Sequence, residues 1–396
     1  MFLVYAPPGA VLPQLTVHLK DIGFTDCQIG AACAAQALGS LLAPFIAGQI
    51  ADRWIRADRC LAFCAFCASA LLWVLPGCCE PASFFVTSVA FWLVMIPALT
   101  LTNAICFTHL PSPARDFGRV RLWGTVGWIV QGWVLGYWFS QPEWLYDAIN
   151  RLAPWTPTVE RADIFRLGAL MAFVLGLYAL TLPATPPRSN GKSLLAPVAA
   201  LGMLRQRTFA IYFICNVSLC VTVAFSSQTT PLFLRSLGVS EVWLGPVLTI
   251  AQSTEVLSLG LLPLLLARWG QRRVMLAGLV AWATALTVLT VGHPLGLVVG
   301  SLSLNGLFIC CFLVAGQVFV NSRAPSDIRA SAQAMVSFAS GLGLLGGNLL
   351  AGWVREQVGE RFAPTFGVAA IIALSALVVF AVGFQHEPPQ PEVEDD

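Results

Sequence analysis

Gly48-Gln-Ile-Ala-Asp-Arg-Trp-Ile-Arg56 and Ala267-Arg-Trp-Gly-Gln-Arg-Arg273 are two short polar stretches, each closing a long apolar run, in which Arg53-Trp54 maps onto Arg268-Trp269. A motif that returns once, far along the chain, marks a sequence built from two copies of one unit. Outward from the first stretch, apolar runs cover 2–19, 29–50, 60–77, 83–107, 118–139 and 164–182. Around the second they cover 209–232, 242–267, 274–292, 295–320, 331–354 and 364–384. Each is about long enough to cross a ~30 Å hydrocarbon layer as a helix. The motif follows the second run of each set of six, and Arg119 before the fifth run is matched by Arg329 opening the eleventh. Between the sets lies Pro183-Ala-Thr-Pro-Pro-Arg-Ser-Asn-Gly-Lys192, a proline-rich basic connector.

The predicted fold class is therefore an all-α membrane protein with twelve transmembrane helices in two six-helix bundles. The bundles are 1–182 and 208–384, joined by a cytosolic linker 183–207 and followed by an acidic, proline-rich tail 385–396 that is expected to be disordered. Composition agrees: 57% hydrophobic residues, 11% charged residues and a mean hydropathy of +0.76 do not suit a soluble compact domain. A formal net charge of +2 gives no reason to expect nucleic acid.

Lys and Arg set the orientation, since short loops rich in them stay in the cytosol. With both termini inside, cytosolic loops hold fourteen Lys and Arg against seven outside, with Arg121 set aside. The prediction is a multi-pass protein of the cell (inner) membrane, surrounded by lipid bilayer and monomeric, with both termini cytosolic. The first run lacks a basic leader and is followed by further spans, so it reads as a transmembrane helix rather than a cleaved signal. Most of the 12 cysteines lie within spans, where thiols act as small apolar packers. Cys27, Cys78 and Cys79 fall in outward loops, leaving a Cys27 disulfide to either of the others open. No metal-ligand spacing, His-Asp-Ser constellation, glycine-rich phosphate loop or Walker motif is apparent, so neither enzyme, metal site, cofactor nor ATP-driven pump is predicted.

Two spans carry polar chemistry at depth. Val120-Arg-Leu-Trp-Gly-Thr-Val-Gly-Trp-Ile-Val-Gln131 puts Arg121, Gly124, Thr125 and Trp128 on one stripe of a greasy helix. A guanidinium costs roughly 3 kcal/mol or more at a helix centre in hydrocarbon, so it must face a wet cavity, a partner or the headgroup layer. In the second half, Ala251-Gln-Ser-Thr-Glu-Val256 sets Gln252 and Glu255 three residues apart on one helical face. A carboxyl at that depth is either a proton carrier and solute ligand or a structural partner for a cation such as Arg121. Asn103, Gln131, Asn305, Gln317 and Asn348 read as interhelical hydrogen-bonders, and Gly341, Gly343, Gly346, Gly347 and Gly352 as close-packing residues of span eleven.

The loop from Gly48 to Arg59 resembles the cytosolic signature of the major facilitator superfamily, with Ile55 in place of its second glycine. That resemblance implies gating by Asp52, Arg53 and Arg56, against the plainer reading of a helix-end charge pair. Parallel six-helix repeats with a site between them near the bilayer midplane are an architecture of secondary transporters. Three further stretches are similar to the nucleoside:proton symporter family of that superfamily. They are Pro97-Ala-Leu-Thr-Leu-Thr-Asn103 with Val120 to Trp128, Ala251 to Val256 with Leu264-Leu-Leu-Ala-Arg-Trp-Gly270, and Ile328-Arg-Ala-Ser-Ala-Gln333.

The resemblance implies that Arg121, Thr125, Trp128, Gln252 and Glu255 contact a nucleoside-like solute and that Glu255 handles the coupled proton, with protons as co-substrate. Trp128 stands where the family has phenylalanine. The chain departs elsewhere: Ala224 and Ser227, with Gln228 beside them, replace a Gln and an Asn, while Asn305, Ile309 and Cys310 replace two aromatics and an acid. A buried thiol is a poor substitute for a carboxyl as proton carrier. The expected function is alternating-access transport of a small polar solute, a nucleoside by resemblance, with proton symport. A sugar or other hydroxylated metabolite, a uniport mechanism and a non-transporting solute sensor stay open as alternatives.

Overall fold

A computed structural model describes residues 1–53, 56–110, 113–140, 161–185, 201–323 and 329–384, with side chains described throughout these except at 43–53, 113–118, 201 and 329–331. All regular structure among the described residues is helical. The first half forms α1 (Phe2–Asp21), α2 (Asp26–Arg53), α3 (Ala57–Val74), α4 (Pro81–His109), α5 (Pro113–Phe139) and α6 (Asp163–Ala179). The second forms α7 (Arg207–Ser236), α8 (Glu241–Val291), α9 (Leu295–Phe308), α10 (Ala315–Arg323), α11 (Arg329–Val358) and α12 (Phe362–Gly383). Seven of the described helical segments are long and apolar enough to cross a membrane, including Pro81–His109, Arg207–Ser236 and Phe362–Gly383.

Two elements carry detail that hydropathy alone does not give. The runs 242–267 and 274–292 form the two helical limbs of α8, which are separated by a break at Gly270 (φ 74°, ψ 163°), a non-helical backbone state that a side chain would strain. The run 295–320 is regular only in its ends, because Ile309–Val314 between α9 and α10 is π-helical. Helices persist through prolines too: α1 contains Pro7, Pro8 and Pro13, which neighbouring helices tolerate in a lipid-dissolved bundle.

Hydrocarbon dictates what is inside and outside. Large apolar side chains point outward, with Phe63 67%, Leu257 71% and Val382 71% exposed, the arrangement a lipid solvent favours. Polar side chains such as Gln14, Gln131, Gln228 and Thr222 are buried. Without a hydrophobic force between helices in lipid, close packing and internal hydrogen bonds must hold them.

The chain divides into two compact units, one comprising Met1–Asn190, Ser227–Gln252 and Asn348–Glu360, the other Gly191–Ser226, Ser253–Gly347 and Arg361–Asp396. In the first unit, α1 packs on α5 and α6, α3 on α4 and α6, and α2 on α4. Ser69 donates to Ala169 O at 2.8 Å to tie α3 to α6. In the second unit an aromatic column runs from Trp282, stacked on Phe308 at 4.8 Å, through Phe312 to Phe380. Trp282 also donates its indole N–H to Thr222 at 2.7 Å, so the ring's one polar group is satisfied in the core.

The α7–α11 seam of the second unit is made by small residues. A methyl on Gly347 would lie 2.6 Å from Val221 O and 2.7 Å from its Cα, whereas one on the adjacent Gly346 would meet nothing within 4 Å. Neighbouring glycines therefore have opposite roles. Gly347→Ala is expected to force the helices apart at a cost of about 1–3 kcal/mol. Gly346→Ala gains up to about 1 kcal/mol of helix propensity. Melting of the two purified variants in detergent checks this; equal melting temperatures would mean that the seam yields freely.

Candidate functional site

Arg121 is half-buried on α5, and its guanidinium lies over the Tyr5 ring of α1, 4.2 Å from the centroid. The charge is thus met by a π face within the first unit, one of the three environments a membrane-embedded cation can accept. Gly124 is what makes room: a methyl there would come within 2.6 Å of Tyr5 Cδ2 and 2.8 Å of Arg121 Nη1. Thr125, next on the helix, is buried, and Trp128 is half-buried with its backbone against Gly9 of α1. A methyl on Gly9 would sit 2.9 Å from Trp128 Cα, so α1 and α5 touch backbone to backbone there. The stripe read from sequence is therefore one continuous surface along α1, in which Arg121 stacks and Trp128 packs.

Near it a cavity of about 350 Å³ is lined by Phe2, Leu61, Thr102, Cys106 and Trp123 among others. Its walls are mostly apolar, and they offer a polar solute few partners.

On α8, Gln252 and Glu255 are both half-buried. In the second unit Glu255 lies close enough for its charge to act on Cys310, the residue that stands where the family resemblance places an acid. Cys310 itself is fully buried in the π-helical segment. Gly278 of α8 packs tightly on that segment, a methyl on it coming within 3.0 Å of Cys311 Cβ and Phe312 N. Gln271 donates to Ala315 O at 2.6 Å, satisfying a carbonyl where the wide turn rejoins the α-helix.

Of the positions that depart from the resemblance, Ala224 and Gln228 take part in helix packing. Ala224 is buried against Gly347, and Ser227 is exposed. Gln228 donates its amide to Asn348 O at 3.0 Å and Oδ1 at 3.1 Å, tying α7 to α11. Asn348 is thereby an interhelical hydrogen-bonder, as the sequence predicts. Gln317 takes part through its carbonyl, which accepts from Gln333 at 2.7 Å. The sequence reading passed over Gln14, fully buried on α1, whose amide oxygen and nitrogen have no partner among the described residues. Its only signal is a lone amide inside an apolar run. Cys27, Cys78 and Cys79 are free thiols, so the open disulfide is not formed. Among the described residues no group of three or more His, Cys, Asp and Glu could hold a metal ion.

Of the three expected gating residues, the side chains of Asp52 and Arg53 lie outside the described residues. Arg56 binds Asp58 through Nε at 3.2 Å and Nη2 at 2.8 Å. Asp58 also accepts from the Thr185 N–H at 3.0 Å, and Thr185 Oγ1 meets His109 Nε2 at 2.9 Å. This clamp, unread in the sequence, pins the chain leaving α6 to the start of α3 and the end of α4. Burial pushes the Asp58 carboxyl upward, but the bonds from Arg56 and the Thr185 and Asp58 amides outweigh it and hold the group below its ordinary range.

A family model described as "Nucleoside H+ symporter" matches residues 1–388. The putative nucleoside transporter YegT of Escherichia coli K12 is 29% identical over 410 residues, covering 98% of this chain and 92% of its own. The nucleoside permease NupG of the same organism is 25% identical over 408 residues, covering 97% and 93%. A crystal structure of the nucleoside transporter NupG superposes with a TM-score of 0.83 at 23% identity, covering 98% of this chain and 97% of that one.

The Asp58 clamp has a pH signature. Its folded value lies below the unfolded reference of about 3.9, so its contribution to stability is complete above that pH and is lost as acid takes the carboxyl through the lowered value. Asp58→Asn is expected to cost about 1.5–3 kcal/mol at neutral pH, the worth of charged hydrogen bonds, with the gap to wild type closing as the pH falls. Tryptophan-fluorescence melts across the acid range check it; a gap that stays constant with pH would mean that the Asp58 charge holds nothing.

Proposed function

Since the chain belongs to the nucleoside H+ symporter family, we propose that it carries a nucleoside together with a proton across the cell membrane by alternating access. The observation that carries this reading is the match of the family model along residues 1–388, joined to a carboxylate, Glu255, in the apolar length of α8. In this reading the chain makes twelve crossings, α8 supplying two at its Gly270 bend and α9 with α10 supplying one. Both termini are cytosolic, the working unit is a monomer, and the halves are 1–182 and 208–384 about the linker 183–207. The proposed solute contacts are Arg121, Thr125, Trp128, Gln252 and Glu255, with Asp52, Arg53 and Arg56 as cytosolic gating residues.

Each proposed contact has a stated chemistry. The amide of Gln252 both donates and accepts, and the Glu255 carboxylate accepts from ribose hydroxyls or a base N–H. The Trp128 ring offers a base a stacking face. Glu255 is also the proposed proton carrier: desolvation favours its neutral form, and solute or a cation nearby favours the charged one, so its proton occupancy follows the state of the site. Cys310 favours a second reading, downhill uniport, because a thiol occupies the place of the family's acid.

Glu255→Gln is expected to abolish nucleoside accumulation driven by an imposed pH gradient in proteoliposomes while leaving counterflow exchange measurable. Accumulation at the wild-type level in that variant would remove the carboxylate from the coupling mechanism, and wild-type uptake that ignores a protonophore would establish uniport. For the solute itself, a thermal-shift panel of nucleosides, bases and sugars is the direct test. A nucleoside at about 100 times its Kd adds about 2.7 kcal/mol to the folded state, whereas a shift by sugars alone would reassign the substrate.

A further inference from the structure

One end of the second unit is drawn together by α7, α8, α10 and α12. Gln271 of α8 donates to Ala315 O at the start of α10 at 2.6 Å, and Arg272 Nη2 donates to Ala381 O near the end of α12 at 2.7 Å. The Phe319 ring of α10 packs on Tyr212 of α7 at 5.7 Å and on Phe384, just past α12, at 5.1 Å. The Arg323 guanidinium lies over that same Phe319 ring, 5.9 Å from its centroid. A methyl on Gly383 would meet Ile211 Cδ1 at 2.5 Å, one turn along α7 from Arg207.

These contacts bring Arg205, Arg207, Arg268, Arg272, Arg273 and Arg323 to one end of the unit. Arg205, Arg207, Arg268 and Arg273 are exposed there. No acid answers them within the unit: among its described residues Glu255 is the one carboxylate, and it lies ~20 Å along α8 from Arg268. The buried Nε of Arg272 has no partner among the described residues. Arginines of a single sign, so gathered, repel one another and attract a polyanion.

We propose that the acidic tail of this same chain, residues 387–396, seats on the arginine face as its counter-charge. The chain leaves α12 at Phe384, whose ring packs on the Phe319 that carries Arg323, so the tail sets out from within the patch. It brings five carboxylates, Glu387, Glu392, Glu394, Asp395 and Asp396, and no Lys or Arg. The eight residues from Phe384 to Glu392 reach up to ~26 Å when extended, enough to cross several helix ends whose axes stand about 8–10 Å apart. Prolines at 388, 389 and 391 favour an extended chain, which lays the carboxylates in a line at small entropic cost. Each guanidinium offers a carboxylate a fork of N–H donors. A single exposed pair is weak, but attachment to the same chain supplies an effective concentration on the order of millimolar, and the pairs act together. The seated tail keeps other polyanions off this end, whichever solute is carried.

The test places p-benzoylphenylalanine at Val393 of the full-length protein, which leaves every tail carboxylate in place, and maps photoadducts by mass spectrometry in nanodiscs of neutral phosphatidylcholine. Adducts are expected within the same chain on the segments that hold Arg205 and Arg207, Arg268 to Arg273, or Arg323. Their yield is expected to fall about fivefold or more between about 0.1 M and about 1 M NaCl, as the screening length contracts from about 10 Å to about 3 Å. Neutralising the tail with Glu392→Gln, Glu394→Gln, Asp395→Asn and Asp396→Asn should lower the yield equally without touching the bundle, and Arg268→Glu with Arg273→Glu should do so from the other side. Adducts confined to lipid or to the tail itself, adducts between two copies, or a yield indifferent to salt overturn the proposal. So does loss of the adducts when phosphatidylglycerol is mixed in at constant salt, which assigns the face to anionic lipid.

Discussion

Close backbone contact between helices is the constraint on which the rest of this molecule depends. Lipid is as apolar as leucine, so burying leucine between helices yields little in a bilayer, and association must come from dispersion at short range and from a few internal hydrogen bonds. The chain meets that demand with glycine wherever two helices must touch. Gly9 admits Trp128, Gly30 and Gly352 admit each other, and Gly343 and Gly347 admit α7. The same economy places Tyr5 within reach of Arg121, because Gly124 removes the one Cβ that would stand between them.

Hydropathy made the spans legible, and every predicted run overlaps a described helix, several overrunning its end by one to three residues. What a hydropathy pattern cannot carry is the hydrogen-bond class inside an apolar segment. The π-helical Ile309–Val314 has the same greasy composition as its flanks, and nothing in it announces an extra residue per turn. Likewise the break between the two limbs of α8 turns on one residue, Gly270, whose positive φ is written only as a glycine in a basic stretch.

Site chemistry was legible to a lesser degree. A stripe of Arg121, Gly124, Thr125 and Trp128 can be read from helical spacing, but its partner surface cannot, since Tyr5 and Gly9 lie more than a hundred positions away. Gln228 shows the converse. It looks like a displaced ligand in the sequence, yet its amide is spent on Asn348, and only the fold reveals that bond. The ion pairs at the helix ends fared worst: Arg235 and Arg355 entered the reading only as loop cations and their partners Asp21 and Asp26 not at all, because pairs more than two hundred residues apart leave no local pattern.

The wide turn at Ile309–Val314 bears on how this chain is to be set beside its relatives. A π turn amounts to one residue inserted into a regular helix, and each residue of an α-helix advances about 100° around the axis. Set against a relative without the insertion, an ungapped alignment pairs α10 residues whose side chains differ in direction by about 100°. Columns beyond Cys310 then pair side chains that point in different directions. Equivalence across this stretch has to be settled by azimuth, and a replaced acid in one column can reappear as a neighbour in another.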